Sequence, residues 1–154
     1  MLTLRSGLSR SLPLLAVLIL SCAISFAAEE LGTVSVELSG LAQASGNVYI
    51  AVYDSDDEWL GENVVMHRKV VIAEALDGQV VRTALQLPPG EYALSIYYDE
   101  NNNGKLDSNF IGIPREPVAI SNNARPSFGP PKYEDAVFTL GAEPLVQQIT
   151  MEDI

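Results

Sequence analysis

The stretch Asp99-Glu100-Asn101-Asn102-Asn103-Gly104-Lys105-Leu106-Asp107 concentrates the side chains best suited to bind something. With Asp99 as position 1 of a calcium loop, Asn101 is position 3, Asn103 position 5, Gly104 position 6, Lys105 position 7 and Asp107 position 9. Calcium takes six to eight oxygen ligands, and oxygens at alternate positions of a curling loop can surround one ion. Gly104 falls where the loop must turn sharply, and Lys105 would offer its backbone carbonyl. The match ends at position 12, which is Phe110 rather than a bidentate glutamate, and no helix pair flanks the loop. This is therefore not an EF-hand. The missing carboxylate would come from Glu116 or Asp135, or from water. With two charged ligands the expected affinity is weak, roughly 10⁻⁴–10⁻³ M. The same residues would also serve a plain polar turn, since Asn, Asp and Gly tolerate left-handed backbone and form Asx-turns.

Other chemistry finds little support. His67 is the sole histidine, so a site built on two histidines is impossible. No G-x-S-x-G elbow and no phosphate-cradling glycine loop is present. A carboxylate pair acting on glycosides is conceivable, but acids this numerous are mostly solvated surface. The expectation is a protein that is not an enzyme.

The elements around the loop read as strands. Apolar residues alternate at Thr33–Leu38, Asn47–Tyr53, Val80–Leu87 and Glu91–Tyr98. Lys69–Ala75, Ala136–Leu140 and Leu145–Met151 are similar, and no segment after the leader keeps a helical period. About seven short strands predict an all-β fold, an antiparallel β-sandwich of immunoglobulin or transthyretin type. Asp56–Arg68 is expected to hold at most a short helical turn. Pro88 and Pro89 end one strand, because proline donates nothing to a ladder, and Gly90 is expected to take a positive φ before Tyr92 starts the next. Ile111–Lys132, with five prolines, is expected as a long connection that folds over the calcium loop.

The N-terminus has the anatomy of a secretory signal peptide over residues 1–27. Arg5 and Arg10 precede the apolar run Leu12–Ile24, and Ser25-Phe26-Ala27 offers a cleavage site. The run is too short to span a bilayer. A single domain over 28–154 follows, exported to the periplasm or beyond. The alternative is a lipoprotein anchored through Cys22, the one cysteine, after Ile19-Leu20-Ser21. The formal net charge of −11 grows more negative once Arg5 and Arg10 are removed. Such a surface disfavours nucleic acid and anionic lipid and favours cations.

The chain resembles the bacterial family known as domain of unknown function 2141. The resemblance is carried by Pro89-Gly90-Glu91-Tyr92-Ala93, the Asp99–Asp107 loop, Asn109-Phe110-Ile111-Gly112-Ile113-Pro114-Arg115-Glu116 and Ser121-Asn122-Asn123-Ala124. Phe128-Gly129-Pro130-Pro131, Glu134-Asp135-Ala136 and Phe138 continue it, and the Val48–Tyr53 strand with Trp59-Leu60 fits the family's opening. The turn into Tyr92 also resembles that of transthyretin-like and carboxypeptidase-regulatory-like sandwiches. The chain departs at Pro117-Val118-Ala119-Ile120, where the family usually carries alternating glycine and aromatic residues. The resemblance implies a secreted sandwich without established activity, with Asp99–Asp107 and Gly112–Glu116 forming one unit.

Two functions follow as expectations. One is a calcium-stabilised binding or structural module for a protein, glycan or small molecule. The other is a carrier of a small apolar ligand in a cleft lined by Trp59, Tyr97 and Phe128. Tyr49, Tyr53, Tyr97 and Tyr98 also suit ordinary cross-strand packing.

Overall fold

Alternation along the strands sets which side of each faces inward. Val34, Val36 and Leu38 are wholly buried while Thr33, Ser35 and Glu37 between them are only partly covered. The computed structural model describes residues 30–151, so the expected leader over 1–27 and Cys22 lie outside the described residues. The strands are β1 (Gly32–Ser39), β2 (Asn47–Tyr53), β3 (Met66–Val71), β4 (Leu76–Asp77), β5 (Val80–Leu87) and β6 (Gly90–Asp99), followed by β7 (Val118–Ile120), β8 (Phe138–Leu140) and β9 (Leu145–Thr150). Two single α-helical turns, α1 (Ile72–Ala75) and α2 (Tyr133–Ala136), and one 3-10 turn over Ser121–Asn123 interrupt them among the described residues.

The strands form two facing sheets, ordered β4-β5-β1-β9 and β3-β2-β6-β7, with β8 pairing the first residues of β6 outside this path. Val34, Leu38, Leu85, Leu87 and Ile149 from the first sheet meet Val48, Ile50, Leu94, Ile96 and Tyr98 from the second in one continuous core. Each fully buried aliphatic side chain contributes about 1.5–3 kcal/mol relative to exposure. The whole of this core lies between Gly32 and Met151, so a chain beginning at Ala28 contains the entire described fold.

The all-β sandwich is as expected, but the described residues form nine strands rather than about seven. β4 is two residues long, and β7 lies in the proline-rich stretch where no alternation could be read. The sandwich is also not wholly antiparallel. β9 runs parallel to β1, from Val34↔Leu145 to Ser39↔Thr150. The chain reaches β9 by leaving the second sheet at β8, so it joins β1 by a crossover rather than a hairpin. Ile72–Ala75, expected to continue a strand, instead turns helically after β3.

The proline turn differs in its use of glycine. Gly90 does not adopt a positive φ. A Cβ there would lie 3.2–3.3 Å from the Tyr92 ring. The position is kept small by that ring, whose hydroxyl donates back to the Pro88 carbonyl at 3.0 Å.

β6 is the strand on which the site depends. Its inner face carries Leu94, Ile96 and Tyr98, and its outer face Ala93, Ser95, Tyr97 and Asp99. It pairs with β7 over Ser95–Tyr97 and with β8 over Gly90–Tyr92. At the changeover the Leu94 N–H donates to Ser121 Oγ (2.9 Å), and that hydroxyl donates to the Ala136 carbonyl (2.6 Å).

Candidate functional site

Asp99 is the last residue of β6, and its side chain is fully buried. Its carboxylate accepts the backbone N–H of Asn103 at 3.1 Å and of Gly104 at 2.8 Å. The loop therefore winds around position 1, and Gly104 takes the left-handed conformation (φ 75°) that the turn requires. Asn101 Oδ1 accepts the Asn103 N–H and Asn103 Oδ1 accepts the Lys105 N–H, two successive Asx-turns.

The loop closes on itself through Asp107. Asn101 Nδ2 and Asn103 Nδ2 both donate to the same oxygen, Asp107 Oδ2, at 2.6 and 3.0 Å. Positions 3, 5 and 9 thus converge on one point, with position 1 buried beneath them. Each Asn Oδ1 uses one of its two lone pairs in an Asx-turn and keeps the other. Lys105, at position 7, is exposed on the same loop. Among the described residues no group of three His, Cys, Asp or Glu side chains is placed to hold a metal. Carboxylates alone are thus too few here to hold a cation, and any ion would need amide and carbonyl oxygens as well.

Of the two carboxylates considered as a supplement, Glu116 belongs to the loop and Asp135 does not. Glu116 is buried, accepting the N–H of Glu100 at 3.1 Å through one oxygen and of Asp107 at 3.0 Å through the other. It braces the loop from below. Asp135 is exposed on α2, whose Ala136 packs on Ala93. Ala93 lies six residues before Asp99 on β6, about 20 Å away at roughly 3.3 Å per residue.

The segment after the loop is tied back to it. Arg115 N–H donates to the Asp107 carbonyl at 2.8 Å, and Ser108 bridges Pro114. Asp99–Asp107 and the Gly112–Glu116 segment are thus one structural unit. Beside it opens a cleft of ≈ 350 Å³ lined by Glu100, Asn101, Asp107, Ser108, Arg115 and Glu116.

The remainder of Ile111–Lys132 does not cover the loop. Residues 118–120 form β7, and after Ser121 the pair Asn122 and Asn123 clamps β9. Asn123 donates to the Gln148 carbonyl (2.9 Å) and accepts the Thr150 N–H (2.8 Å), closing a sheet edge as a strand would. Both asparagines have positive φ, which Asn tolerates better than most residues. The paired asparagines were legible in the sequence; what they clamp was not.

Below the loop, Tyr49 and Tyr97 face each other across β2 and β6 and stack with ring centroids 5.0 Å apart. Tyr97 donates to the Gly104 carbonyl at 3.3 Å. Burial, and then the neighbouring Tyr49, Asp99 and Glu116, push the Tyr97 hydroxyl up to about 12. Asn47 Nδ2 donates to Asn102 Oδ1 at 2.6 Å, fixing the loop's crest to β2.

The three aromatics considered for a carrier cleft do not meet. Trp59 packs edge-on against Tyr53 and Tyr133 and donates to the Pro131 carbonyl at 2.8 Å. Tyr97 lies under the loop, and Phe128 is entirely exposed. His67 projects from the exposed part of β3, opposite Ala51.

No curated protein and no solved structure is similar enough to the chain to count as a match. The profile of a family described as uncharacterised proteins conserved in bacteria (DUF2141) does match, over residues 36–148. That range takes in both sheets, the Asp99–Asp107 loop and its Glu116 brace, and the chain belongs to this family.

Proposed function

We propose that the protein is an exported, non-catalytic binding module whose Asp99–Asp107 loop takes up calcium. The observation that carries this reading is the gathering of the Asn101, Asn103 and Asp107 side chains at one place above the buried Asp99 carboxylate, where the two amide N–H groups that meet Asp107 Oδ2 would give way to the ion. An ordinary two-residue hairpin needs no such set, and here five side chains, Glu116 included, organise one loop. Asp99, Asn101, Asn103 and Asp107 supply side-chain oxygens and Lys105 its carbonyl, with water completing the shell. Bound calcium would supply a fixed positive charge in an acidic surface, and with it a docking point for carboxylate or hydroxyl groups of a protein, glycan or small molecule. Export is supported by the leader-like residues 1–27.

Thermal unfolding of the chain from Ala28 onward, in calcium, in magnesium and in chelator, tests this reading. A ligand that binds only the folded state raises the midpoint by mass action. The expected result is a calcium-specific rise that Asp107→Ala abolishes. An unchanged midpoint at millimolar calcium would reduce the loop to a polar turn.

A further inference from the structure

Immediately beyond the loop the chain makes a narrow projection. The Ser108–Pro114 bridge closes its base, and Asn109–Ile113 forms its tip. The tip is apolar and bare. Phe110 is 97% exposed, Ile111 64% and Ile113 44%. Leu106, just before the base, is 39% exposed. None of these side chains belongs to either hydrophobic cluster of the fold. Single exposed apolar residues are normal, but a run concentrated on one projection is characteristic of an interaction site.

Four of the tip's five backbone N–H groups are satisfied from within. Asn109 N–H donates to the Ile113 carbonyl (2.8 Å) and Gly112 N–H to the Asn109 carbonyl (3.0 Å). Asn109 Oδ1 accepts the N–H groups of both Ile111 and Ile113 at 3.0 Å. The one polar side chain of the tip is thus spent on its own backbone, and Gly112 takes the positive φ (83°) that lets the turn close.

We propose that the Asn109–Ile113 tip is a membrane-docking element that inserts Phe110 and Ile111 into the surface of a zwitterionic bilayer. Three features favour lipid over a protein groove. A specific protein interface carries about one hydrogen bond per 100–200 Å², and this tip's side chains offer none. Internal pairing of four of the five N–H groups lowers the cost of entry into a low-dielectric layer. Lys105 and Arg115, both exposed, flank the projection and are the sole cations between Asp99 and Ala124, placed to meet headgroup phosphates. The net charge of −11 selects a zwitterionic surface over an anionic one. The inference is independent of calcium, since the bonds that hold the tip need no ion.

The test is flotation of the chain from Ala28 onward with phosphatidylcholine vesicles, in chelator. The native chain is expected to float. Phe110→Ser combined with Ile111→Ser is expected to lower partitioning more than about tenfold, given the apolar area removed. Val146→Ser, at a half-exposed apolar site on β9, is expected to leave partitioning unchanged. Phe110→Trp adds a reporter whose emission shifts to the blue with vesicles and is quenched by brominated acyl chains. These sites are exposed, so the variants keep the native melting midpoint. The proposal is overturned if the native chain stays unbound, if the double variant floats equally well, or if the Phe110→Trp emission ignores the vesicles. Concentration-dependent self-association abolished by the double variant, without vesicle binding, would also overturn it and assign the tip to a second copy of the chain.

Discussion

Glu116 accepts the backbone N–H of Asp107 at 3.0 Å, nine residues back along the chain, while its other oxygen holds the N–H of Glu100. One buried carboxylate thereby pins both ends of the candidate binding loop. Replacing it with alanine strands two partly buried N–H donors, which costs roughly 1–3 kcal/mol for each donor left fully unsatisfied. Urea unfolding should show Glu116→Ala well below the native protein, with Glu116→Gln in between because its amide oxygen still accepts one bond. Amide exchange at Glu100 and Asp107 should accelerate in the alanine variant. Unaltered stability and exchange would mean that the loop holds its shape without the brace.

Calcium binding of the weak extracellular class makes a numerical prediction. A dissociation constant of roughly 10⁻⁴–10⁻³ M gives about 1.4–2.7 kcal/mol of stabilisation at about 10 mM calcium by mass action. The midpoint should rise by several degrees. Asp99→Asn removes a charge from position 1 and keeps one of its two acceptors, so it should lose most of the calcium-dependent rise and, with one loop N–H left unpaired, part of the stability in chelator as well. A full rise in that variant would place any bound calcium elsewhere on the acidic surface.

Ser121 is the splice between β7 and β8 along β6. Its hydroxyl is buried, accepts the Leu94 N–H and donates to the Ala136 carbonyl. Ser121→Ala should destabilise by about 1–3 kcal/mol, the cost of leaving a buried polar group unpaired. Ser121→Cys, whose thiol bonds weakly, should not restore stability. A neutral alanine variant in denaturant unfolding would show that Leu94 N–H finds another acceptor.

Tyr97 should titrate late. Its hydroxyl is pushed up to about 12, first by burial and then by Tyr49, Asp99 and Glu116. A raised folded-state value favours the neutral form, so its contribution is fully present below the unfolded value near 10. That contribution is lost as pH rises through the folded value. Ultraviolet titration of the native protein against Tyr97→Phe should reveal one late phenol missing from the variant, and the variant's stability should fall less steeply between pH 10 and about 12. Superimposable titration curves would contradict this.

The sandwich was readable because alternation is a local property. Val34, Val36 and Leu38, or Val48, Ile50 and Val52, announce a buried face whatever they pack against. The loop was readable for a similar reason, since Asx-turns and a left-handed glycine act within a few residues. β7 was not, because Val118–Ile120 is three residues long and is a strand only by pairing with Ser95–Tyr97.

By itself the sequence determined an all-β chain, the acidic surface, the absence of a second histidine and the oxygen-rich spacing from Asp99 to Asp107. The tertiary structure decided which distant residues serve that loop. It chose Glu116 over Asp135, put the Tyr49–Tyr97 stack beneath Gly104 and parted Trp59 from Tyr97 and Phe128. It also set β9 parallel to β1 and left Phe110 bare at a hydrogen-bonded tip. These are contacts between residues far apart in the chain or matters of what remains uncovered. They are fixed by strand register and sheet packing, to which no local pattern of residue types gives access.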